Sequence, residues 1–353
     1  MLIWTQDQKL ATPKLGKHGT GKHSMRKLEL TIATSDYDHL RDFRIGEVRA
    51  EGIDPIWLSM DFHEIFARFA ARRDWDVSEM SFAKFTALAS QPNAEIIGLP
   101  VFPSRMFRFS SFYVNRHKGI QSAADLRGKR VGVPEWAQTA AVYTRGWLQH
   151  VAGVPLTEIE WVQAGTDEAG RMEKVDLNLP KGLKLTRVSD RTLGEMVASG
   201  ELDCVMIARE PKVFRQKHPD VVRLFPDYRR REEDYFDSTG VYPIMHVIAM
   251  RKSIVDQYPW AARNLYLAFA EAKERSMDRI MDNAVSRYPI PWLGDYIRGL
   301  QERFGKDLHP YGLGANLPTL KLFTQYAYEQ GIAGRLIAPE ELFASGLDIS
   351  VKV

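Results

Sequence analysis

With one cysteine in 353 residues, Cys204, the chain can form neither an intramolecular disulfide nor a cysteine-based zinc cluster. Cys204 stands in the apolar run LDCVMIA (202–208), where a buried, inert thiol is expected rather than a nucleophile. Excess charge is missing too. The 48 Lys and Arg stand against 45 Asp and Glu, and a net charge of +3 gives no field suited to wrapping nucleic acid. The basic triplet Arg229-Arg230-Arg231 runs directly into Glu232-Glu233-Asp234, a mixed and solvated surface. No segment approaches the roughly 20 apolar residues that a membrane-spanning helix needs. The first thirty residues carry Lys, Gly and His where a secretory signal requires a continuous apolar stretch, so a cytoplasmic protein is expected. Histidine and carboxylate spacing typical of a divalent-metal site is absent. GKHGTGKHS in the N-terminal stretch has no strand before it, which removes the nucleotide-loop reading. No cofactor or metal is expected.

What is present reads as α/β. A hydrophobic content of 44% and a charged content of 26% suit a soluble globular protein long enough for two lobes. Strand-like runs alternate with helical ones from Leu28: LELTIAT, GIDPIWLSM, WDVSEMS, EIIGLPVF and SSFYVN, then RVGV, EIEWVQ, LTRVS, LDCVMIA and IMHVIAM. A helix is expected over about 37–51, another over 61–73, and a mostly helical part after Ser253. The spacing places an N-terminal extension at 1–26, expected to be disordered, one lobe at 27–115 and 246–353, and an inserted lobe at 116–245. Two extended crossings would join the lobes, with a ligand cleft between them. The strand–turn–helix GKRVGVPEWAQTAAVYTRGWL (128–148) places a helix N-terminus at the end of a buried strand, a ready site for an anion. Trp260, Tyr266, Phe269 and Trp292 supply aromatic surface for a homo-oligomer, with core packing as the competing reading.

Six segments in order carry a resemblance: SDYDHLRDF, FHEIFARFA, DVSEMSFAKF, GLPVFPSRMFRFSSFYVN, GIQSAADLRGKRVGVPEWAQTAAVYTRGWLQ and GELDCVMIAREP. From Lys27 onward the chain resembles the 4,5-dihydroxyphthalate decarboxylase family, enzymes on the type II periplasmic-binding-protein fold. The resemblance implies a two-lobed α/β fold with a helical C-terminal part. It also implies a cofactor-independent carboxy-lyase acting on a small aromatic carboxylate, without nucleic acid or membrane. A non-catalytic solute-binding or sensor protein for the same ligand class is the alternative, since fold alone does not decide function.

In this fold the ligand contacts come from loops at the C-terminal ends of strands. Carried onto this chain, they include Ser35, Asp36 and Ser81 from the first lobe, with helix capping as the competing role for the serines. Arg105 and Arg108 stand among phenylalanines, a setting that suits a benzene dicarboxylate. The inserted lobe supplies Glu135, Trp136, Gln138 and Thr139, followed by Arg209 and Glu210 after LDCVMIA. Trp136 would cover the ring while Glu135 reaches a hydroxyl. His246, inside IMHVIAM, is the expected acid because it titrates near neutrality without special tuning. Glu210, Glu135 and Asp36 are candidates for accepting a ring hydroxyl proton, and His39 and His63 are expected to be structural.

Overall fold

The structure, a computed structural model, describes residues 26–347 except Asn283 and Ser286. The N-terminal extension expected at 1–26 therefore lies, but for its last residue, outside the described residues. Eleven strands are described: β1 (Leu28–Ala33), β2 (Ile53–Leu58), β3 (Val77–Ser81), β4 (Ile96–Leu99), β5 (Phe112–Asn115), β6 (Arg130–Val133), β7 (Glu160–Gly165), β8 (Lys184–Thr192), β9 (Cys204–Met206), β10 (Val221–Arg223) and β11 (His246–Arg251). The helices are α1 (Arg41–Arg44), α2 (Phe62–Arg72), α3 (Phe82–Ala89), α4 (Thr139–His150), α5 (Leu193–Ala198), α6 (Lys212–Arg215), α7 (Tyr228–Thr239), α8 (Lys252–Gln257), α9 (Pro259–Met281), α10 (Leu293–Phe304) and α11 (Leu317–Glu329). Among the described residues no helix is long and apolar enough to cross a membrane.

The strands form two sheets, ordered β2-β1-β3-β11-β4 and β10-β5-β9-β6-β7-β8. In the first, β1 pairs in parallel with β2 and β3, while β11 runs antiparallel between β3 and β4. In the second, β6 is parallel to β7 and β9, and β5 is antiparallel to β9 and β10. The chain leaves the first sheet after β4 and returns to it as β11, and the two crossings touch at an Arg105–Ile244 bridge. This is the expected two-lobed α/β architecture. One boundary moves: Phe112–Asn115, expected in the first lobe, is a strand of the second sheet. Its four buried residues find backbone partners in β9 and β10, which the crossing brings alongside.

The helix expected over 37–51 is a short 3₁₀ turn, Asp38–Leu40, followed by the four residues of α1. Gly46 then turns into the left-handed region at φ 81°, where a helix ends readily. Asp38 and Asp42 instead clamp α9, Asp42 through Arg275 Nε and Arg279 Nη1 at 2.7 Å each. Of the aromatics weighed for a subunit interface, Tyr266 and Phe269 are buried, whereas Trp260 and Trp292 are exposed.

α11 ties the two sheets together. Phe323 stacks on Phe82 of α3 at 4.5 Å and meets Tyr143 of α4 at 4.9 Å. Where α11 crosses α4, Gly146 leaves room for Tyr326: a Cβ at Gly146 would stand 2.0 Å from that ring. One hydrophobic cluster thus runs from Ile65, Phe66 and Phe69 through Phe323 to Val131, Trp136 and Trp161. Fully burying each such side chain is worth about 1.5–3 kcal/mol, so the two sheets rest on a shared core.

Candidate active site

β3 is buried along its whole length, flanked by β1 and β11. The middle one of its five residues is Glu79, a carboxylate with no exposed surface, which must find partners within the fold. Three donors converge on it. The Ser35 backbone N–H, just past the end of β1, donates to Oε2 at 2.7 Å. Tyr37 OH donates to Oε1 at 2.6 Å, and His246 Nδ1 lies 2.6 Å from the same oxygen. Since a carboxylate accepts, Nδ1 carries the proton and Nε2 is left as the second ring nitrogen. Burial pushes the Glu79 carboxyl up, but the bonds and charge of His246 and the Tyr37 and Ser35 donors outweigh it and hold it below its ordinary value. Burial and the adjacent carboxylate push the Tyr37 phenol well above its ordinary value, so it stays a donor.

His246 opens β11 opposite Ser81 and is half-buried, its ring edge-on to Phe66 at 4.9 Å. Phe66 in turn meets Phe62 at 5.8 Å, and the Arg209 guanidinium lies 5.8 Å over Phe62. The first turn of α2 therefore makes an apolar wall between the imidazole at one end and a cation at the other.

Across from it, α3 and α4 abut at their N-termini. Thr139 Oγ1 accepts from the Ala83 N–H at 3.0 Å and shares a hydrogen bond with Ser81 Oγ at 2.9 Å. Beside them Glu135, 2% exposed, meets Lys84 Nζ at 2.8 Å and Arg171 Nε at 2.7 Å. Its expected reach toward a hydroxyl is replaced by these two ion pairs. Gln138 Oε1 is buried and has no hydrogen-bond partner among the described residues.

The structure thus brings together Ser35, Ser81, Gln138, Thr139, Arg209 and His246, and adds Glu79, Tyr37, Phe62, Phe66, Lys84 and Arg171. Other expected residues go elsewhere. Asp36 points to solvent, 89% exposed, and pairs with Arg44. Glu210 pairs with Arg223 at the end of β10. Arg105 is buried and donates to Tyr242 O, Pro310 O and Asn316 Oδ1, so its donors serve the crossing and the C-terminal segment. Burial lowers its pKa to about 10. Arg108 donates to Met245 Sδ and Ala208 O, both at 3.1 Å, and joins the same crossing to β9. Trp136 has no exposed surface: Arg145 lies 3.7 Å over its ring, and its Nε1–H donates to Gln330 O at 2.8 Å. It is core rather than a ring cover. Burial lowers the pKa of His39 to about 4, the packing of a structural histidine; burial and the charges of Arg171 and Arg209 also lower that of His63, likewise expected to be structural. Among the described residues no three His, Cys, Asp or Glu side chains gather in a metal-holding group.

The chain is 36% identical over 320 residues to the 4,5-dihydroxyphthalate decarboxylase of Comamonas testosteroni, covering 90% of this chain and 97% of that protein. It is 40% identical over 213 residues to the 4,5-dihydroxyphthalate decarboxylase of Pseudomonas putida, covering 60% of this chain and 83% of that one. No family model matches. Among solved structures, the periplasmic aliphatic sulphonate binding protein SsuA from Escherichia coli superposes with a TM-score of 0.50 at 13% identity. That match covers 91% of this chain and 99% of the other, and it carries the type II periplasmic-binding-protein fold alone.

Proposed function

The chain belongs to the 4,5-dihydroxyphthalate decarboxylase family of carboxy-lyases, and on that premise we propose that it converts 4,5-dihydroxyphthalate to 3,4-dihydroxybenzoate and carbon dioxide. Direct loss of carbon dioxide would leave an aryl carbanion. The hydroxyl para to the departing carboxylate offers a lower route. Its oxygen pushes electrons into the ring, the ipso carbon takes a proton, and the carbon–carbon bond then breaks with its electrons restoring aromaticity. One proton is consumed in each turnover.

The observation that supports this reading is the Glu79–His246 pair. The carboxylate fixes the ring through Nδ1 at 2.6 Å and stabilises the imidazolium, so that Nε2 serves as the proton donor to the ipso carbon. Gln138 Oε1, buried and unpartnered among the described residues, accepts the bond of the para hydroxyl as charge leaves that oxygen. Phe62 and Phe66 hold the ring face, and Arg209 stands where a carboxylate is held. The route uses no cofactor.

Purified protein incubated with 4,5-dihydroxyphthalate should release carbon dioxide and 3,4-dihydroxybenzoate in equal amounts. In deuterated water the product should carry one deuterium at the former ipso carbon, and His246→Gln should abolish turnover. Saturable binding of 4,5-dihydroxyphthalate without turnover would refute the assignment, and full turnover by His246→Gln would remove His246 as the donor.

A further inference from the structure

We infer that Arg171 is a specificity residue of this cleft, forming with Arg209 the clamp for the carboxylate that stays on the ring; the inference rests on the proposed reaction. Arg171 lies between β7 and β8, in a stretch with no regular structure, yet it is held from two sides. Its Nε–H donates to Glu135 Oε1 at 2.7 Å, and Glu135 is itself fixed from the opposite lobe by Lys84 Nζ at 2.8 Å. Two residues on, Glu173 Oε2 accepts the Trp136 N–H at 2.7 Å and the Ala137 N–H at 3.2 Å, which pins the segment to the turn before α4.

With Nε committed to Glu135, the two Nη groups of Arg171 have no hydrogen-bond partner among the described residues, and the side chain is 30% exposed. That is the free end of a planar fork whose orientation is already set, the arrangement that takes a carboxylate in bidentate fashion. Burial lowers the pKa of His63, in the first turn of α2, and the charges of Arg171 and then Arg209 lower it further, so both cations lie near enough to act on that imidazole. His63 stacks on Phe62 at 3.8 Å, the ring that Arg209 overlies and that continues through Phe66 to His246. The cations therefore sit at the end of the wall away from the proton donor.

Charge agrees with this. Lys84, Arg171 and Arg209 outweigh Glu135 and the neighbouring Asp61, so this end of the wall carries a positive surplus that favours an anionic group over a neutral one.

Calorimetric titration of the full chain with phthalate, benzoate and catechol tests the assignment, because these ligands carry two, one and no carboxylates and none is turned over. Arg171→Gln should weaken phthalate by about 10- to 100-fold, the worth of one charge-assisted bidentate contact, and leave catechol unchanged. Arg171→Lys, which keeps the charge without the fork, should recover part of the loss. Phthalate binding by Arg171→Gln equal to wild type, an equal loss for phthalate and catechol, or no phthalate binding by wild type would each overturn it. The reaction is judged separately. A wild type that shows the Arg171-dependent phthalate binding but does not decarboxylate 4,5-dihydroxyphthalate sinks the proposed reaction and leaves the dicarboxylate site standing.

Discussion

Replacing Glu79 with Gln tests the centre of the site, because the change keeps shape and removes charge. The native carboxylate accepts from Ser35 N–H on one oxygen and from Tyr37 OH and His246 Nδ1–H on the other. An amide cannot serve both sides. With its oxygen toward His246, its NH₂ opposes the Ser35 N–H; flipped, its NH₂ meets Nδ1 and forces the imidazole into the tautomer with the proton on Nε2 and no charge. In either pose the imidazolium loses an anion at 2.6 Å. A hydrogen bond to a charged group is worth about 1.5–3 kcal/mol, and a loss of about 2–3 kcal/mol borne by the protonated donor lowers kcat by about 30- to 150-fold. KM should hardly change, because Glu79 lies behind the histidine and touches no ligand. Stability carries a second signature. The Glu79 pKa in the folded chain lies below its ordinary value of 4.5, so its contribution is present above that value and is lost as pH falls through the folded one. Thermal melting between neutral pH and pH 3 should therefore be steeper for wild type than for Glu79→Gln. Steady-state kinetics by product absorbance, with melting curves beside them, decide the matter. A Glu79→Gln enzyme with wild-type kcat would refute the positioning argument.

Arg105→Gln should lower Tm while leaving the KM of the folded fraction unchanged, since the guanidinium bonds to Tyr242 O, Pro310 O and Asn316; stranding those acceptors costs about 1–3 kcal/mol each, and a raised KM with an intact Tm would instead make Arg105 a substrate anchor. Gly146→Ala puts a methyl 2.0 Å from the Tyr326 ring and should destabilise by about 1–3 kcal/mol, read as a lower Tm, whereas an unchanged Tm would show that α4 and α11 can part at no cost. Burial raises the Glu232 pKa from 4.5 to about 7, so the folded chain holds that proton more tightly than the unfolded chain. Stability should therefore decline as pH rises from 4.5 to about 7, and Glu232→Gln should flatten this part of the melting profile.

Much of this arrangement was legible in the sequence, and the parts that were not have physical reasons. His246 stands out as a titratable group inside the apolar run IMHVIAM. Glu79 gives the same signal inside VSEMS, but the helix that starts three residues later draws attention to Ser81 as a cap. α7 is hidden because none of its residues is more than partly buried; without an apolar stripe, YRRREEDYFDST shows only its charges. Arg105 and Trp136 mislead for a different reason. A cation among aromatic rings looks the same in sequence whether it awaits a ligand or stacks in the core. What decides is a partner far along the chain: Pro310 and Asn316 for Arg105, Gln330 for Trp136. No local pattern contains that information.

The turn before α4 shows how a correct physical premise can lead to the wrong occupant. A helix N-terminus after a buried strand does attract an anion, and in the turn just before it the N–H groups of Trp136 and Ala137 do hold a carboxylate. That carboxylate is the chain's own Glu173, at 2.7 and 3.2 Å, while Thr139 is taken up by the Ala83 N–H. These N–H groups of the turn are taken up in folding. What they secure is the segment 171–173, which has neither period nor motif to mark it, and through that segment the orientation of Arg171 against Glu135. Electrostatics expected to bind a ligand directly are used one step earlier, to fix the guanidinium that faces the cleft. The gain is geometric: a backbone turn offers N–H groups at fixed places within one lobe, whereas Arg171, braced by Glu135 and Lys84, draws on both lobes and loses its orientation if either moves.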